Sequence, residues 1–343
     1  MKPKQYRFMQ LQGLHVLEPT PKLRILVLDI FNTCNFQCRY CYGKAESFQS
    51  QNKLLQYEDY IRLMDEAVSL GVKSLWFLGA HENTLNPNYL RLLEAAEKRG
   101  LFTVTFSNGA PFGDDVIAKK IFGMSAENFT KTVASFSRSS VIIKCDSLKL
   151  ETQNLLARNK NARQQIKKAI QNAKKTELWS PGINGLPRFG LNSVLTSHNY
   201  GDMANIFQFC LENKLAYFCD ALLSSGAATK EENLAPISKQ VKITLEKIRH
   251  VLQSFEMDLP PEMVVNFYDQ KCILFDNYIF IIHDGRILPC AGFPENSSIL
   301  GHVNEGLTVL WEKKSKMIST YYKHCSFIPN KCPCRAHLEN HLI

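Results

Sequence analysis

Three cysteines lie close together early in the chain. The stretch CNFQCRYC at 34–41 contains Cys34, Cys38 and Cys41, with three residues between the first two and two between the last two. Structural zinc sites usually take four protein ligands, whereas iron–sulfur clusters are held by cysteine thiolates as standard. Three thiolates can bind three irons of a 4Fe–4S cluster and leave the fourth iron open to a ligand. The spacing therefore favours such a cluster, with zinc or no metal role as the alternatives.

A second group of cysteines lies in the last quarter of the chain. Of the 11 cysteines, five are found there: Cys272, Cys290, Cys325, Cys332 and Cys334. Thiols in the cytosol stay reduced, so clustered cysteines indicate metal binding more than disulfides. We therefore expect metal at both ends of the chain.

The bulk composition is typical of a soluble globular enzyme. The 343 residues are 45% hydrophobic and 21% charged. The chain has no apolar run of about 18 residues, as a membrane-spanning helix would need. Its N-terminus lacks the apolar core and small residues of a secretory signal. We expect a cytoplasmic protein without a membrane partner.

The positive charge is concentrated in one stretch. The formal net charge is +9, and residues 157–175 contain seven basic side chains and no acidic one. One interpretation is the solvated face of an amphipathic helix. The other is a surface for an anionic partner, such as a phosphate, an acidic peptide or nucleic acid. No recognised nucleic-acid module accompanies the stretch, so we do not expect nucleic acid as a partner.

Apolar runs and helical patterns alternate through the first two thirds of the chain. Buried strands are predicted over 24–31, 73–80, 101–109, 140–148, 189–197 and 215–223. Helices are predicted over 57–71, 88–100, 125–136, 157–175 and 201–214. This alternation predicts a parallel sheet with helices outside it. Six strands are too few for a closed eight-fold barrel, so we expect an open, partial (β/α)6 barrel. Ligands in such sheets bind at the carboxyl ends of the strands, where the first cysteine group lies.

The first cysteine motif resembles that of the radical S-adenosylmethionine (SAM) superfamily. The shared pattern is C-x3-C-x2-C after a first strand, with an aromatic residue, here Tyr40, before the last cysteine. The resemblance implies a 4Fe–4S cluster on Cys34, Cys38 and Cys41, whose open iron binds SAM. One electron, delivered by a partner such as flavodoxin or ferredoxin, then cleaves SAM to a 5′-deoxyadenosyl radical that takes a hydrogen atom from a substrate.

Further segments resemble the parts of this family that bind SAM. GAHENTLNP at 79–87 resembles the family's GGEP segment, but His81 replaces a glycine and Asn83 a proline. Ser107-Asn108-Gly109 resembles the polar turn after the third strand, and Asp146 and Ser147 follow the fourth strand. The residues that the resemblance implies for the cofactor are Tyr40, Gly79, Ala80, Glu82, Ser107, Asn108, Lys144, Asn192 and Ser193.

The second cysteine group resembles the SPASM and twitch extensions of radical SAM enzymes. Cys272, Gly285 and Cys290 form C-x12-G-x4-C, and LGHVNEGLTVLWEKK at 300–314 resembles the segment that follows in those domains. The resemblance implies an auxiliary 4Fe–4S cluster on Cys272, Cys290 and two of Cys325, Cys332 and Cys334, with zinc on the tail thiols and His337 as the alternative. We therefore predict a radical SAM core over 1–235, with its barrel over about 24–225, and a small C-terminal α+β domain over 236–343.

Three side chains are candidates for chemistry on the substrate. Cys145 and Cys219 lie near the ends of the fourth and sixth predicted strands. Some radical SAM epimerases use a cysteine as hydrogen-atom donor, so either thiol is a candidate donor or a core residue. His81, beside the SAM segment, is a candidate proton acceptor for an oxidised alcohol or a surface imidazole.

The sequence thus predicts a radical SAM oxidoreductase-type enzyme that oxidises or epimerises a small molecule. The first strand begins near residue 24, which is expected to leave no room for a separate peptide-recognition domain. One alternative is a peptide- or protein-modifying enzyme, in which residues 157–175 guide an acidic leader. The other is a non-catalytic Fe–S or zinc binding protein, for which the departures at His81 and Asn83 are the support.

Overall fold

The fold is known from a computed structural model. It describes residues 10–16, 20–49, 53–265, 275–291, 293 and 296–324, with side chains as far as residue 320. Cys272, Cys325, Cys332, Cys334 and His337 lie outside the described residues, so the predicted auxiliary ligands among them stay predictions.

Nine strands form one mixed sheet. They are β1 (Ile25–Leu28), β2 (Ser74–Phe77), β3 (Phe102–Ser107), β4 (Ser139–Lys144), β5 (Phe189–Val194), β6 (Ala216–Asp220), β7 (Tyr278–Ile281), β8 (Arg286–Leu288) and β9 (Gly301–His302). Their order is β6-β5-β4-β3-β2-β1-β7-β8-β9. Strands β1 to β6 pair in parallel, each with its neighbour in the chain. Within the described part of the chain the sheet is open, with β6 and β9 at its edges, as the partial barrel predicts.

Ten helices accompany the strands in the described residues. They are α1 (Tyr57–Ser69), α2 (Tyr89–Lys98), α3 (Ala110–Gly113), α4 (Asp115–Phe122), α5 (Ala126–Ser135), α6 (Leu150–Ala157), α7 (Ala162–Lys174), α8 (Met203–Glu212), α9 (Ser238–Ser254) and α10 (Leu307–His324). Strand β1 shows how they cover the sheet. Its Leu26 and Leu28 pack in the core beneath the helices, and Ile25 and Val27 pack in a second core on the other face. A strand buried on both faces reads as a continuous apolar run, which is why these strands could be predicted.

A C-terminal hairpin extends the sheet, and its place there was not predicted from the sequence. Strands β7 and β8 pair antiparallel around a turn in which Gly285 has φ +88°. Strand β7 also pairs in parallel with β1, with Ile25 opposite Tyr278. The predicted boundary between residues 235 and 236 therefore does not divide the sheet, since β7–β9 extend it. Which strands become neighbours depends on long-range packing that local sequence patterns do not contain.

The basic stretch folds differently from the single predicted helix. Helix α6 ends at Ala157, Arg158 adopts φ +48°, and α7 begins at Ala162. The inner face of α7 is buried, so its basic residues lie on the outer face of an amphipathic helix. Of these, Lys168 lies 2.5 Å from the carboxylate of Asp115. The solvated-face interpretation accounts for this arrangement.

Helix α3 lies so close to α7 that only glycine fits at the contact. A Cβ atom on Gly113 would overlap the backbone carbonyl oxygen of Gln165. We expect Gly113→Ala to lower the free energy of unfolding by about 1–3 kcal/mol, because backbone must move to relieve the overlap.

Urea unfolding of the anaerobic protein checks this prediction. Gly201→Ala is the matched control, because its Cβ would meet only the end of the Lys247 side chain, at 3.7 Å. An equal loss of stability in both variants would contradict the close approach.

Candidate functional site

The first cysteine motif lies in a loop at the carboxyl end of β1. The N–H groups of Gln37 and Arg39 donate to the carbonyl oxygens of Ala157 and Leu156, at 3.2 and 3.0 Å. These oxygens are at the end of α6, where helix carbonyls lack partners within the helix. The last turn of α6 therefore holds the loop that contains the three thiols.

Two of the three sulfur atoms in this loop lie near N–H donors. The backbone N–H of Phe36 donates to Cys34 Sγ at 3.4 Å, and the side-chain amide of Asn108 lies 3.6 Å from the same sulfur. The backbone N–H of Gly43 also favours the thiolate form of Cys41. Such donors stabilise a negatively charged sulfur.

Desolvation acts against the thiolates. It is the main reason why the pKa of Cys34 rises to about 12, and it raises the pKa of Cys38 and Cys41 as well. The negative charge of Glu82 adds to the effect for Cys34, and that of Asp146 adds to it for Cys38. Thiols in this state become metal ligands only when a bound cation compensates their charge. Three thiols in one loop with N–H donors on sulfur fit a 4Fe–4S cluster.

The side chain of Tyr40, which belongs to the cysteine loop, is held by polar contacts. Its hydroxyl donates a hydrogen bond to the Asp146 carboxylate, and Lys144 Nζ lies 4.9 Å from the centre of its ring. Burial, followed by the negative charge of Asp146, raises the pKa of Tyr40 well above its ordinary value. The other oxygen of Asp146 accepts a 2.8 Å hydrogen bond from the Val194 N–H. The predicted residue Tyr40 therefore ties the cysteine loop to β4 and β5.

Glu82 joins the loops that follow β2 and β3. Its buried carboxylate accepts hydrogen bonds from the Thr84 hydroxyl and from the Asn108 N–H, the latter at 2.6 Å. Burial raises the pKa of Glu82, while these hydrogen bonds oppose the rise. Its own N–H donates to the Thr33 carbonyl oxygen, next to Cys34, at 3.1 Å. Glu82 thus holds three parts of the chain together. They are residues 79–87, which resemble the family's SAM-binding segment and are called the SAM-like segment, the polar turn at 107–109 and the cysteine loop.

Asn83, which stands where the family's GGEP segment has a proline, makes a structural hydrogen bond. Its side-chain oxygen accepts a 2.7 Å hydrogen bond from the N–H of Ile30, just beyond β1. The side-chain amide of Asn86 donates to the Ile30 carbonyl oxygen at 2.6 Å. Both backbone groups of Ile30 are buried and need such partners.

The polar turn after β3 is fixed from two sides. The Asn108 amide donates to the Asn35 side chain at 2.8 Å, and Gln165 Nε2 of α7 donates to the Asn108 carbonyl oxygen at 3.2 Å. The Ser107 hydroxyl accepts a 3.0 Å hydrogen bond from the N–H of Gly109, whose φ is +87°. The turn and the cysteine loop are therefore held in direct contact.

A polar row crosses the ends of β4, β5 and β6. Lys144 Nζ donates to Asn192 Oδ1 at 3.1 Å, and Asn192 Nδ2 donates to Asp220 at 2.7 Å. Asp220 was not predicted. Ser193 lies on the opposite face of β5, where its buried hydroxyl donates to the Cys145 carbonyl oxygen at 2.6 Å. Side chains alternate along a strand, so the structure does not bring Ser193 together with Asn192.

The two candidate hydrogen-donor thiols lie in the core beneath the helices. Cys219 Sγ is 3.6 Å from Met203 Sδ of α8, and the Cys145 thiol faces the Ser147 carbonyl oxygen at 3.7 Å. Burial raises the pKa of each thiol to about 12. Neither contacts another predicted site residue through its side chain, so this placement does not favour their roles as hydrogen donors.

Gly79 and Ala80 pack directly against the buried carboxylate of Asp29, a residue that was not predicted from the sequence to belong to the site. The Ala80 N–H donates to Asp29 Oδ2 at 3.2 Å, and a Cβ on Gly79 would overlap the Asp29 side chain. His81 Nδ1 lies 3.2 Å from the same carboxylate oxygen, and His283 Nδ1 lies 3.7 Å from it. Burial raises the pKa of Asp29, but the two imidazoles outweigh burial and leave the pKa below its ordinary value.

The missed residues share a sequence signal. Asp29 follows β1, Asp220 ends β6 and His283 lies two residues beyond β7. A polar residue at the carboxyl end of an apolar strand was therefore available as a signal. Cys290, two residues beyond β8, is buried in the core on the inner face of the sheet. Its role as an auxiliary ligand stays a prediction.

No helix in the described parts of the chain is long and apolar enough to cross a membrane. This finding covers the same residues as the rest of the structural description.

Two curated relatives are similar to this chain over most of its length. The tungsten-containing aldehyde ferredoxin oxidoreductase cofactor-modifying protein of Pyrococcus furiosus is 21% identical over an aligned length of 293, and the match covers 79% of this chain and 72% of that protein. The Fe-coproporphyrin III synthase of Methanosarcina barkeri is 24% identical over 256 residues, 73% of this chain but only 57% of that protein.

Solved structures share the fold. SuiB of Streptococcus suis, bound to its precursor peptide SuiA, superposes with a TM-score of 0.61 at 18% identity. The match covers 85% of this chain and 65% of SuiB, so this chain spans less than two thirds of that structure.

The family follows from a match that contains the cysteine loop and strands β2 to β5. The sequence model of the radical SAM superfamily matches residues 28–199, half of the chain. That range includes the three thiols, Glu82 and the polar turn, whose contacts are those of one connected site. The chain belongs to the radical SAM superfamily.

Proposed function

We propose that this chain cleaves SAM reductively and abstracts a hydrogen atom from a small-molecule substrate, which it oxidises or epimerises. The observation that carries the proposal is the cysteine loop at the carboxyl end of β1. Its three thiols lie in one loop, with N–H donors at Cys34 and Cys41, and Glu82 joins that loop to the loops after β2 and β3.

The cofactors supply the radical chemistry, and the chain binds and orients them and provides the charges around them. A 4Fe–4S cluster on Cys34, Cys38 and Cys41, with SAM bound, would provide the electron and the group that abstracts hydrogen. Around it, Asn108 directs its amide at Cys34 Sγ.

The polar row on β4 to β6 is suited to the polar parts of SAM. Lys144 offers a positive charge for a carboxylate, while Asn192 and Asp220 offer hydrogen-bond donors and acceptors for ribose hydroxyls. These side chains already hold one another through hydrogen bonds, so they are positioned before any ligand arrives. Such preorganisation lowers the cost of binding.

The names of the curated relatives support a small-molecule substrate. One is a cofactor-modifying protein and the other an Fe-coproporphyrin III synthase. The second candidate function is modification of a peptide or protein, favoured by the likeness to SuiB with its bound precursor peptide. That likeness, at 18% identity, concerns the fold alone.

The third interpretation, a binding protein with a degenerate SAM site, loses its support. Asn83 binds the Ile30 N–H, and His81 lies against the Asp29 carboxylate. The two departures therefore have structural roles of their own. The flavodoxin or ferredoxin partner, the auxiliary cluster and the cytoplasmic location remain parts of this proposal.

Removal of the three thiols tests the cluster. We expect the anaerobically reconstituted wild type to contain about eight irons per chain, and the Cys34/Cys38/Cys41→Ala variant about four, since two 4Fe–4S clusters are proposed. With a chemical reductant, only the wild type should form 5′-deoxyadenosine from SAM. Iron and sulfide analysis and chromatography of the products measure both outcomes.

Cys210→Ala is the matched control for this experiment. Cys210 is a core thiol of α8, away from the cysteine loop, and its loss should change neither iron content nor cleavage. Equal cleavage in the triple variant would contradict the proposed cluster site. No cleavage by a fully loaded wild type would contradict the enzyme itself.

Glu82→Gln tests whether the Glu82 carboxylate is needed to hold the loops after β1, β2 and β3 together. The amide keeps the shape of the side chain, but its NH₂ group would face the Thr84 hydroxyl or the Asn108 N–H, which now donate hydrogen bonds to the Glu82 carboxylate. We expect SAM cleavage at limiting SAM to fall about 10- to 100-fold, as for other residues that support metal ligands, with iron content retained.

Glu94→Gln, on the exposed face of α2, is its control. Cleavage of SAM by the Glu82→Gln variant at the wild-type rate would show that the carboxylate is not needed to hold the loops in place.

A further inference from the structure

Three strands that are neighbours in the sheet each end near one imidazole or carboxylate. Asp29 follows β1, His81 lies in the loop after β2, and His283 follows β7. Because β1 pairs in parallel with both other strands, all three side chains lie at the same edge of the sheet. One potential ligand atom from each lies within 4.8 Å of the others.

The polar atoms of this cluster are incompletely satisfied. Asp29 is 1% exposed and His283 2% exposed. Asp29 Oδ1 and His283 Nδ1 have no hydrogen-bond partner among the described residues. A buried ring nitrogen without a partner is costly, and a cation bound between His283 Nδ1 and the Asp29 carboxylate removes that cost.

We propose that Asp29, His81 and His283 bind a divalent transition-metal ion, distinct from the iron–sulfur clusters. Two imidazoles and one carboxylate form a nitrogen-and-oxygen donor set suited to Zn²⁺ or Fe²⁺. The cluster contains no thiol, so it differs in chemistry from the cysteine loop.

The distances in the cluster suit a metal site that is nearly formed. Ligand atoms about 2.1 Å from one tetrahedral ion lie about 3.4 Å apart. Asp29 Oδ2 is 3.2 Å from His81 Nδ1 and 3.7 Å from His283 Nδ1. The side chain of His81 is 15% exposed, so the proposed site borders on solvent at this ligand.

The surroundings of Asp29 support its role as a ligand. Metal-ligating carboxylates are usually held by a second hydrogen bond, which the Ala80 N–H provides at 3.2 Å. Gly79 lets this backbone approach Asp29, since a Cβ there would overlap the carboxylate. The same two residues belong to the SAM-like segment, so the metal would lie next to the reaction site.

Three protein ligands leave a coordination position open, as in catalytic metal sites. We expect it to take an oxygen of the substrate, a part of the inference that rests on the proposed function. Metal binding itself does not depend on SAM cleavage, so the two proposals can fail separately.

Titration with zinc tests the site in the full, anaerobically reconstituted chain. We expect the wild type to bind one Zn²⁺ per chain in addition to its iron, measured by elemental analysis after desalting. Asp29→Asn and His81→Gln should each weaken zinc binding at least about 10-fold while iron content stays unchanged, because each removes a ligand. His81→Gln serves as the variant that folds, since His81 is the least buried of the three.

His250→Gln, an exposed histidine of α9, is the matched control and should bind zinc like the wild type. A wild type that binds no additional zinc would overturn the proposal. So would equal zinc binding by the wild type and the ligand variants, which would place the zinc on other groups.

Discussion

The parallel pairing of β1 with β2 on one side and β7 on the other decides which side chains meet at the carboxyl edge of the sheet. The cysteine loop, the SAM-like segment and His283 all follow one of these three strands. A slip of one residue in either pairing would move every side chain of a strand to the other face. The hydrogen bonds of Asn83 to Ile30 and of Ala80 to Asp29 fix this edge after the strands end.

The second constraint is the charge of the sulfur ligands. Desolvation raises the pKa of the thiols of the cysteine loop, and N–H donors are already directed at Cys34 Sγ. The loop is thus prepared for thiolates but depends on a bound cation to form them. Asp29 differs from the thiols, because two imidazoles already hold the pKa of its buried carboxylate below the ordinary value, while one of its oxygens has no hydrogen-bond partner among the described residues.

Much of this arrangement could be predicted from the sequence, because it depends on local patterns. The apolar runs predicted β1 to β6, and the spacing of Cys34, Cys38 and Cys41 predicted the site at the end of β1. The position of β7 beside β1 could not be predicted, since it results from packing between distant segments. For that reason Asp29 and His283 were missed, although each is a polar residue after an apolar strand. The break at Arg158 was missed because its left-handed backbone carries no glycine to signal it.

Electron paramagnetic resonance of the reduced protein, with and without SAM, tests the central claim most directly. The claim is that three thiols hold a cluster whose open iron binds SAM. We predict a reduced 4Fe–4S signal that changes when SAM is added to the wild type. The change should be absent in the Cys34/Cys38/Cys41→Ala variant, whose remaining signal would come from the proposed auxiliary cluster. A wild-type signal that is identical with and without SAM would contradict the account.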